Sequence, residues 1–247
     1  MAEKKTWYGD HQVDRFTFEG RLARVVHPKE GTSIGRLGFK TEYWNAFPQG
    51  IQIPLLEKGF HLCYVEKDDR WGTEEMTALQ ERFMTFVTEQ YGLSPRVVPI
   101  GMSCGGLQAI KLAARCPEKI ACLYLDNPVL NYMSCPCGFG KAKVLDNGDA
   151  IPEILKALDL SSISQLICYR DMPMDRLPKL VEHKIPAVLV AGLQDDIAPY
   201  EENGILLQNA YEKAGVDLFL CLKPEDGHHP HGLEDPTAAV EFILNHQ

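Results

Sequence analysis

Arg96-Val-Val-Pro-Ile-Gly-Met-Ser-Cys-Gly-Gly-Leu-Gln-Ala-Ile-Lys-Leu-Ala-Ala114 contains the turn that decides the fold. Its first residues, Arg96 to Ile100, read as a strand, and Leu107 to Ala114 reads as a helix. Between them, Gly101-Met-Ser-Cys-Gly105 fits the pattern G-x-S-x-G, with the strand before and helix after that the pattern requires. The requirement is steric. A serine on so sharp a turn sits at strained dihedrals, and glycines two residues to either side keep Cβ atoms out of the way. The helix N-terminus then places amides and a positive dipole end where an oxyanion would develop. Ser103 is the candidate nucleophile; the bland alternative is an ordinary strand-to-helix turn. Cys104 beside it reads as a small residue under the turn, not as the attacking thiol.

Outward from this turn, strand and helix alternate. Phe16 to Val26 reads as two strands turning near Gly20, and Phe60 to Val65 as a third. Met76, Leu79, Phe83, Phe86, Val87 and Tyr91 fall at helical spacing within 74–91. Ala121 to Leu125 and Pro186 to Ala191 are strands of the buried type. Helical residues around 201–214 lead to a last strand, Asp217 to Leu222, and Asp235-Pro236 supplies an N-cap and first-turn proline for a closing helix. This alternation predicts an α/β fold, a mostly parallel central sheet with helices on both faces. Residues 132–184 break the rhythm. A connection that long is read as a cap insertion over the carboxyl ends of the strands, within a single domain spanning 1–247. Tyr132, Met133, Phe139, Leu155 and Met172 would give it a partly apolar pocket wall.

A serine needs a base, and the base needs an orienting group. Gly192-Leu-Gln-Asp195-Asp196-Ile-Ala-Pro199 follows a buried strand directly, and Asp226-Gly-His228-His229-Pro-His231 follows the last one. The order is Ser103, Asp195, His228, each just past a strand end, so all three fall on one carboxyl edge of a parallel sheet, where such sites form. Asp196 competes with Asp195, as does Asp126 at the end of an earlier strand. His229 and His231 compete with His228. The four residues from His228 to His231 also admit a metal cluster with Cys135 and Cys137, but nothing in the spacing fixes those groups at ligand distance.

In these segments the chain resembles the α/β-hydrolase superfamily, in its serine-esterase type and a bacterial branch of it. The turn around Ser103, the G-x-x-D-x-x-x-P stretch at Gly192–Pro199 and the Gly-His-His-Pro-His-Gly-Leu run at 227–233 carry the likeness. The resemblance implies Ser103 as nucleophile, His228 as general base and then acid, and Asp195 as the group that holds the imidazole tautomer. It also implies the Cys104 amide as one oxyanion donor. The expected activity is cleavage of a carboxylic ester on a small molecule through an acyl-serine, with no metal or organic cofactor. Thioesterase or peptidase action on the same residues, or a non-catalytic pocket that binds a small ligand, are the alternatives.

Two places depart from the superfamily pattern. His27-Pro28 stands where His-Gly is usual, and a loop is expected from Lys29 to Thr41 before Tyr43-Trp44. The second oxyanion donor must come from this segment; proline has no N–H, and the Lys40 amide is the expectation. Pro99 falls in a central strand, where it removes a ladder donor, so a bulge or an unpaired position should sit there. Tyr43, Trp44 and Phe47 are expected to pack a helix, and Glu66-Lys-Asp-Asp-Arg70 to form a solvated loop.

Composition narrows the partners. Lys and Arg number 25 against 34 Asp and Glu, a net charge of −9 without any basic block. Neither nucleic acid nor an anionic membrane is an expected partner. No apolar run approaches the roughly 18 residues of a membrane span. Eight scattered cysteines, and charges without an apolar core at residues 1–16, are read as reduced thiols in a cytoplasmic protein without a secretory leader.

Overall fold

The side-chain alternation of β-strands sorts the core into two layers. In the computed structural model, which describes residues 6–246, nine strands form one sheet. They are β1 (Thr6–Trp7), β2 (His11–Phe18), β3 (Arg21–Val26), β4 (Arg36–Lys40), β5 (Phe60–Val65), β6 (Val98–Met102), β7 (Leu123–Asp126), β8 (Ala187–Gly192) and β9 (Leu218–Lys223). Their order is β1-β2-β3-β5-β4-β6-β7-β8-β9. The pairs from β1 to β5 are antiparallel, and every pair from β5 onward is parallel. Residues 1–5, part of the stretch read as lacking a leader, lie outside the described residues, as does residue 247.

On one face, Cys63, Val65, Leu125 and Leu189 pack with helices α2 (Glu74–Gln90), α3 (Cys104–Arg115), α6 (Leu177–Glu182) and α7 (Gly204–Ala214). On the other, Leu62, Tyr64, Tyr124 and Val188 pack with α1 (Gln52–Glu57) and α8 (Thr237–Asn245). Neighbouring residues of one strand thus serve opposite layers, the period-2 rule of an extended chain. The α/β-hydrolase fold expected from the sequence is the fold of the chain. Among the described residues, no helix is long and apolar enough to cross a membrane. All eight cysteines carry free thiols.

The structure corrects the expected loop at 29–41. Its second half is β4, buried at every position in the middle of the sheet. Five residues with a charged residue at each end show no strand periodicity; β5 and β6 on either side create the burial. Gly38 is what lets them close in, since a Cβ there would lie 2.7 Å from Leu62 Cδ2. Pro99 is accommodated by a bulge in its neighbour. Between the bridge Val97–Ile120 and the pair Ile100–Tyr124, the β6 side advances three residues and the β7 side four. The extra residue stands opposite the proline and leaves no partner waiting for its missing N–H.

The segment 132–184 holds α4 (Ala150–Ala157), α5 (Ile163–Cys168) and, at its end, α6. Leu177 and Leu180 of α6 belong to the main core, so this last part is the crossover helix that a parallel β7-to-β8 connection requires. The earlier part packs a third apolar cluster, with Tyr132, Ile154, Leu166 and Met172, against Trp71, Cys104 and Leu107. That places it beside the start of α3, at the carboxyl edge of the sheet.

Candidate active site

Ser103 stands between β6 and α3 at φ 53°, ψ −123°, a left-handed conformation that a serine adopts only under constraint. The constraint is backbone crowding. A Cβ on Gly101 would lie 2.4 Å from the Gly105 carbonyl oxygen, and one on Gly106 would lie 2.5 Å from Pro128 Cβ. The Ser103 amide donates to Asp126 O at 3.0 Å, and its carbonyl accepts from Gly106 at 2.9 Å and Val129 at 3.2 Å. The elbow is therefore tied to the neighbouring strand end on both sides. Cys104 opens α3, so its N–H belongs to the first helical turn, which has no carbonyl one turn earlier to accept it.

Three side chains meet here. Ser103 Oγ lies 3.0 Å from His228 Nε2, and His228 Nδ1 lies 2.7 Å from Asp195 Oδ2. The other Asp195 oxygen accepts the Ile197 and Ala198 amides at 2.8 Å each. Burial by itself would raise this carboxyl, but the His228 hydrogen bond and charge, with the two amides, hold it below the usual carboxylate value. It is ionised at neutral pH and anchored by three groups, the His228 ring and the Ile197 and Ala198 amides.

The competing residues have other partners. Asp196 is half exposed and pairs with Lys143. Asp126 accepts from His231 through Nδ1 at 2.8 Å and from the Gly232 amide. His229 stacks on Phe47 at 5.7 Å with an interplanar angle of 17°. Cys135 and Cys137 are buried in the third apolar cluster with Tyr132 and Ala150. The Cys104 thiol is buried, and burial pushes its pKa up to about 11, so it is a poor thiolate source.

A cavity of about 430 Å³ opens onto Ser103 and His228. Its walls include Tyr43, Phe47, Arg70, Met102, Leu145, Ile197 and His229. The lining corrects several expectations. Lys40 is absent from it: Thr41 N–H bonds to Ile100 O on the β6 side, and successive amides of a strand alternate, so the Lys40 amide faces β5. That amide points away from Ser103 and does not serve an oxyanion there. Tyr43 and Phe47 border the cavity, whereas Trp44 packs on Trp7 and Tyr64 as expected of a core aromatic. Tyr132, Met133, Phe139, Leu155 and Met172 do not line it; Leu145 is the contribution of the 132–184 segment. The loop expected to be solvated contributes Arg70 to the wall and buries Lys67 against Glu42 at 3.5 Å. Arg70 is held by Asp146 at 2.7 Å and Glu153 at 2.8 Å, with its guanidinium over Trp71.

The chain matches the model of the prolyl oligopeptidase family over residues 64–246. It belongs to that family. It has the α/β-hydrolase fold. No curated protein matches the chain. Among solved structures it is similar to a puromycin hydrolase mutant complexed with PGG, at 17% identity and TM-score 0.70, over 96% of this chain and 38% of that one. It is also similar to Porphyromonas gingivalis dipeptidyl peptidase 4, at 14% identity and TM-score 0.66, over 98% and 36%. Pyrococcus horikoshii acylaminoacyl peptidase aligns at 13% identity and TM-score 0.65, over 89% and 37%. Likenesses this distant concern the fold, and the chain spans well under half the length of each of these structures.

Within this prolyl oligopeptidase-family domain, Asn127 was invisible in the sequence as a member of the site. It sits at φ 43° just past β7. Its Nδ2 donates to the carbonyls of Gly227 at 3.3 Å and His228 at 3.1 Å, and its Oδ1 accepts the Gly192 amide at 2.8 Å. One side chain thereby ties the His228 loop to the strand that precedes Asp195. Gly192 completes the junction, because a Cβ there would lie 2.3 Å from Gly227 O. The one local signal was an asparagine before proline at a strand end, which marks a turn and nothing more.

Proposed function

We propose that this protein is a peptidase in which Ser103 is the nucleophile, His228 the general base and acid, and Asp195 the orienting carboxylate. The observation that carries the reading is the continuous relay Ser103 Oγ–His228 Nε2 at 3.0 Å and His228 Nδ1–Asp195 Oδ2 at 2.7 Å. Ser103 Oγ attacks the carbonyl carbon while His228 Nε2 takes its proton. Asp195 keeps the other ring proton on Nδ1 and stabilises the imidazolium that forms. His228 then gives the proton to the departing amine, an acyl-serine remains, and water activated by the same imidazole releases the acid. The Cys104 amide is one oxyanion donor in this scheme. Tyr43 takes the place expected of Lys40, as the cavity-lining residue past β4 that carries a hydroxyl donor.

The family and the names of the solved structures support amide over ester cleavage. In this reading the part of 132–184 ahead of α6 serves as a cap. Its Asp146 and Glu153 hold Arg70 at the cavity wall, and its Leu145 narrows the opening.

The test is intact-mass measurement after a fluorophosphonate probe, followed by turnover of paired peptide p-nitroanilides and p-nitrophenyl esters. One adduct on the wild type, none on Ser103→Ala, and anilide turnover by the wild type alone are expected. An adduct that persists in Ser103→Ala removes Ser103 from the chemistry. Ester turnover with no anilide turnover by the same serine returns the reading to an esterase.

A further inference from the structure

We propose that His228, His229 and His231 form a binding site for one divalent transition-metal ion of the zinc class, and that an ion seated there takes His228 away from Ser103. Among the described residues, these three imidazoles are a group whose ligand atoms all lie within 4.8 Å of one another. Their ring centres are 5.0, 4.9 and 4.9 Å apart, at interplanar angles of 70°, 76° and 87°. Three imidazoles on a tetrahedral ion, with metal–nitrogen bonds of about 2.0–2.1 Å, have ring centres about 5 Å apart. The rings already stand at that spacing, and rotation of His229, the exposed member, brings its nitrogen towards those of the other two.

The groups behind the rings strengthen the case. His228 Nδ1 and His231 Nδ1 are each bonded to a buried carboxylate, Asp195 at 2.7 Å and Asp126 at 2.8 Å. This is the carboxylate–histidine arrangement that fixes the ring tautomer and raises ligand basicity at metal centres. Nε2 is the ligand atom left on each ring, on His228 the one that also bonds to Ser103 Oγ at 3.0 Å. The two carboxylates stand behind an incoming dication, and His229 leaves its stack on Phe47 when it turns onto the ion. Three nitrogens leave a fourth position open towards the cavity. Imidazole nitrogens select zinc, copper or nickel over magnesium and calcium, which prefer oxygen.

The consequence for activity rests on the function proposed above, while the binding itself does not. His228 Nε2 has one lone pair. Coordinated, it no longer accepts the Ser103 proton, so the ion is a reversible inhibitor that competes with that proton for the base, and not a cofactor.

The experiment is zinc titration calorimetry on chelator-dialysed protein, run on the wild type, His229→Ala and His231→Gln, with magnesium as the hard-cation control. Fluorophosphonate labelling of the wild type is measured in parallel with and without zinc. One zinc per wild-type chain, at least tenfold weaker binding in both variants, no magnesium binding, and zinc-suppressed labelling restored by chelator are expected. Absence of stoichiometric zinc binding, or binding unchanged in both variants, overturns the site. Zinc binding without protection from labelling overturns its inhibitory role. Zinc binding to a wild type that never labels keeps the metal site and overturns the serine-hydrolase scheme instead.

Discussion

Replacement of Asp195 by asparagine isolates the tautomer argument, because it preserves shape and exchanges only a charge and a hydrogen-bonding sense. Asp195 Oδ1 accepts the Ile197 and Ala198 amides at 2.8 Å, and Oδ2 faces His228 Nδ1 at 2.7 Å. An asparagine keeps its oxygen on the two amides and presents its NH2 to the histidine. Nδ1 must then accept, the ring proton moves to Nε2, and Nε2 donates to Ser103 Oγ where it should take a proton. A switch of this kind lowers kcat about 10⁴-fold, roughly 5 kcal/mol of transition-state stabilisation. The assay is the second-order rate of fluorophosphonate labelling, which needs no knowledge of the natural substrate, with circular dichroism to confirm the fold. Asp126→Asn is the control: it alters the partner of His231 and leaves the His228–Asp195 bond in place, so labelling should slow by far less. Asp195→Asn labelling within tenfold of the wild type, or Asp126→Asn the more damaging of the two, would refute the reasoning.

Three further outcomes follow from the same geometry. Cys104→Ala should label at close to the wild-type rate, since the buried thiol, raised to about 11, takes no part; loss of labelling in the folded variant would contradict this. Gly101→Ala places a Cβ 2.4 Å from Gly105 O, a clash with backbone that cannot swing aside. A destabilisation of about 3 kcal/mol or more should lower the thermal midpoint by roughly 6–12 °C, and an unchanged midpoint would mean that the elbow has slack. Lys40 is fully buried with no hydrogen-bond partner for Nζ, and burial lowers its pKa to about 7 against the attraction of Asp126 and Glu42. Between that value and about 10.4, the unfolded chain binds more protons than the folded one, so stability rises with pH across this window and the full penalty applies below it. Lys40→Met should therefore stabilise the fold by a few kcal/mol at pH 6, with little effect at pH 10, as read from denaturant midpoints. Parallel pH profiles for the two proteins would disprove the assignment.

Local signals reached a long way into this molecule. The strands at Phe60–Val65 and Ala187–Gly192 were legible because buried strands are short apolar runs bounded by turns, and the half-buried edge strand Leu218–Lys223 carries a similar run. The two glycines around Ser103 were legible because the turn is crowded: a Cβ would lie 2.4 Å from Gly105 O at Gly101 and 3.1 Å from Glu42 Cβ at Gly105. The loops that carry Asp195 and His228 were legible because each follows a strand directly, but Asp196, His229 and His231 share those loops, and only the hydrogen bonds separate them.

Other features had no local trace. β4 carries Arg36 and Lys40 at its ends, and only the strands beside it make it the middle of a sheet. Arg70 left its charged run for the cavity wall because Asp146 and Glu153, about eighty residues later, came to meet it. Asp126 found His231 across 105 residues, and Asn127 found the His228 loop in the same way. The sequence by itself determined the α/β alternation and the elbow, since periodicity and steric exclusion act over a few neighbours. Only the tertiary structure decided the cavity wall and the ring-to-ring packing of three histidines. Those depend on hydrogen bonds and burial between segments that the chain brings together only when the sheet has closed.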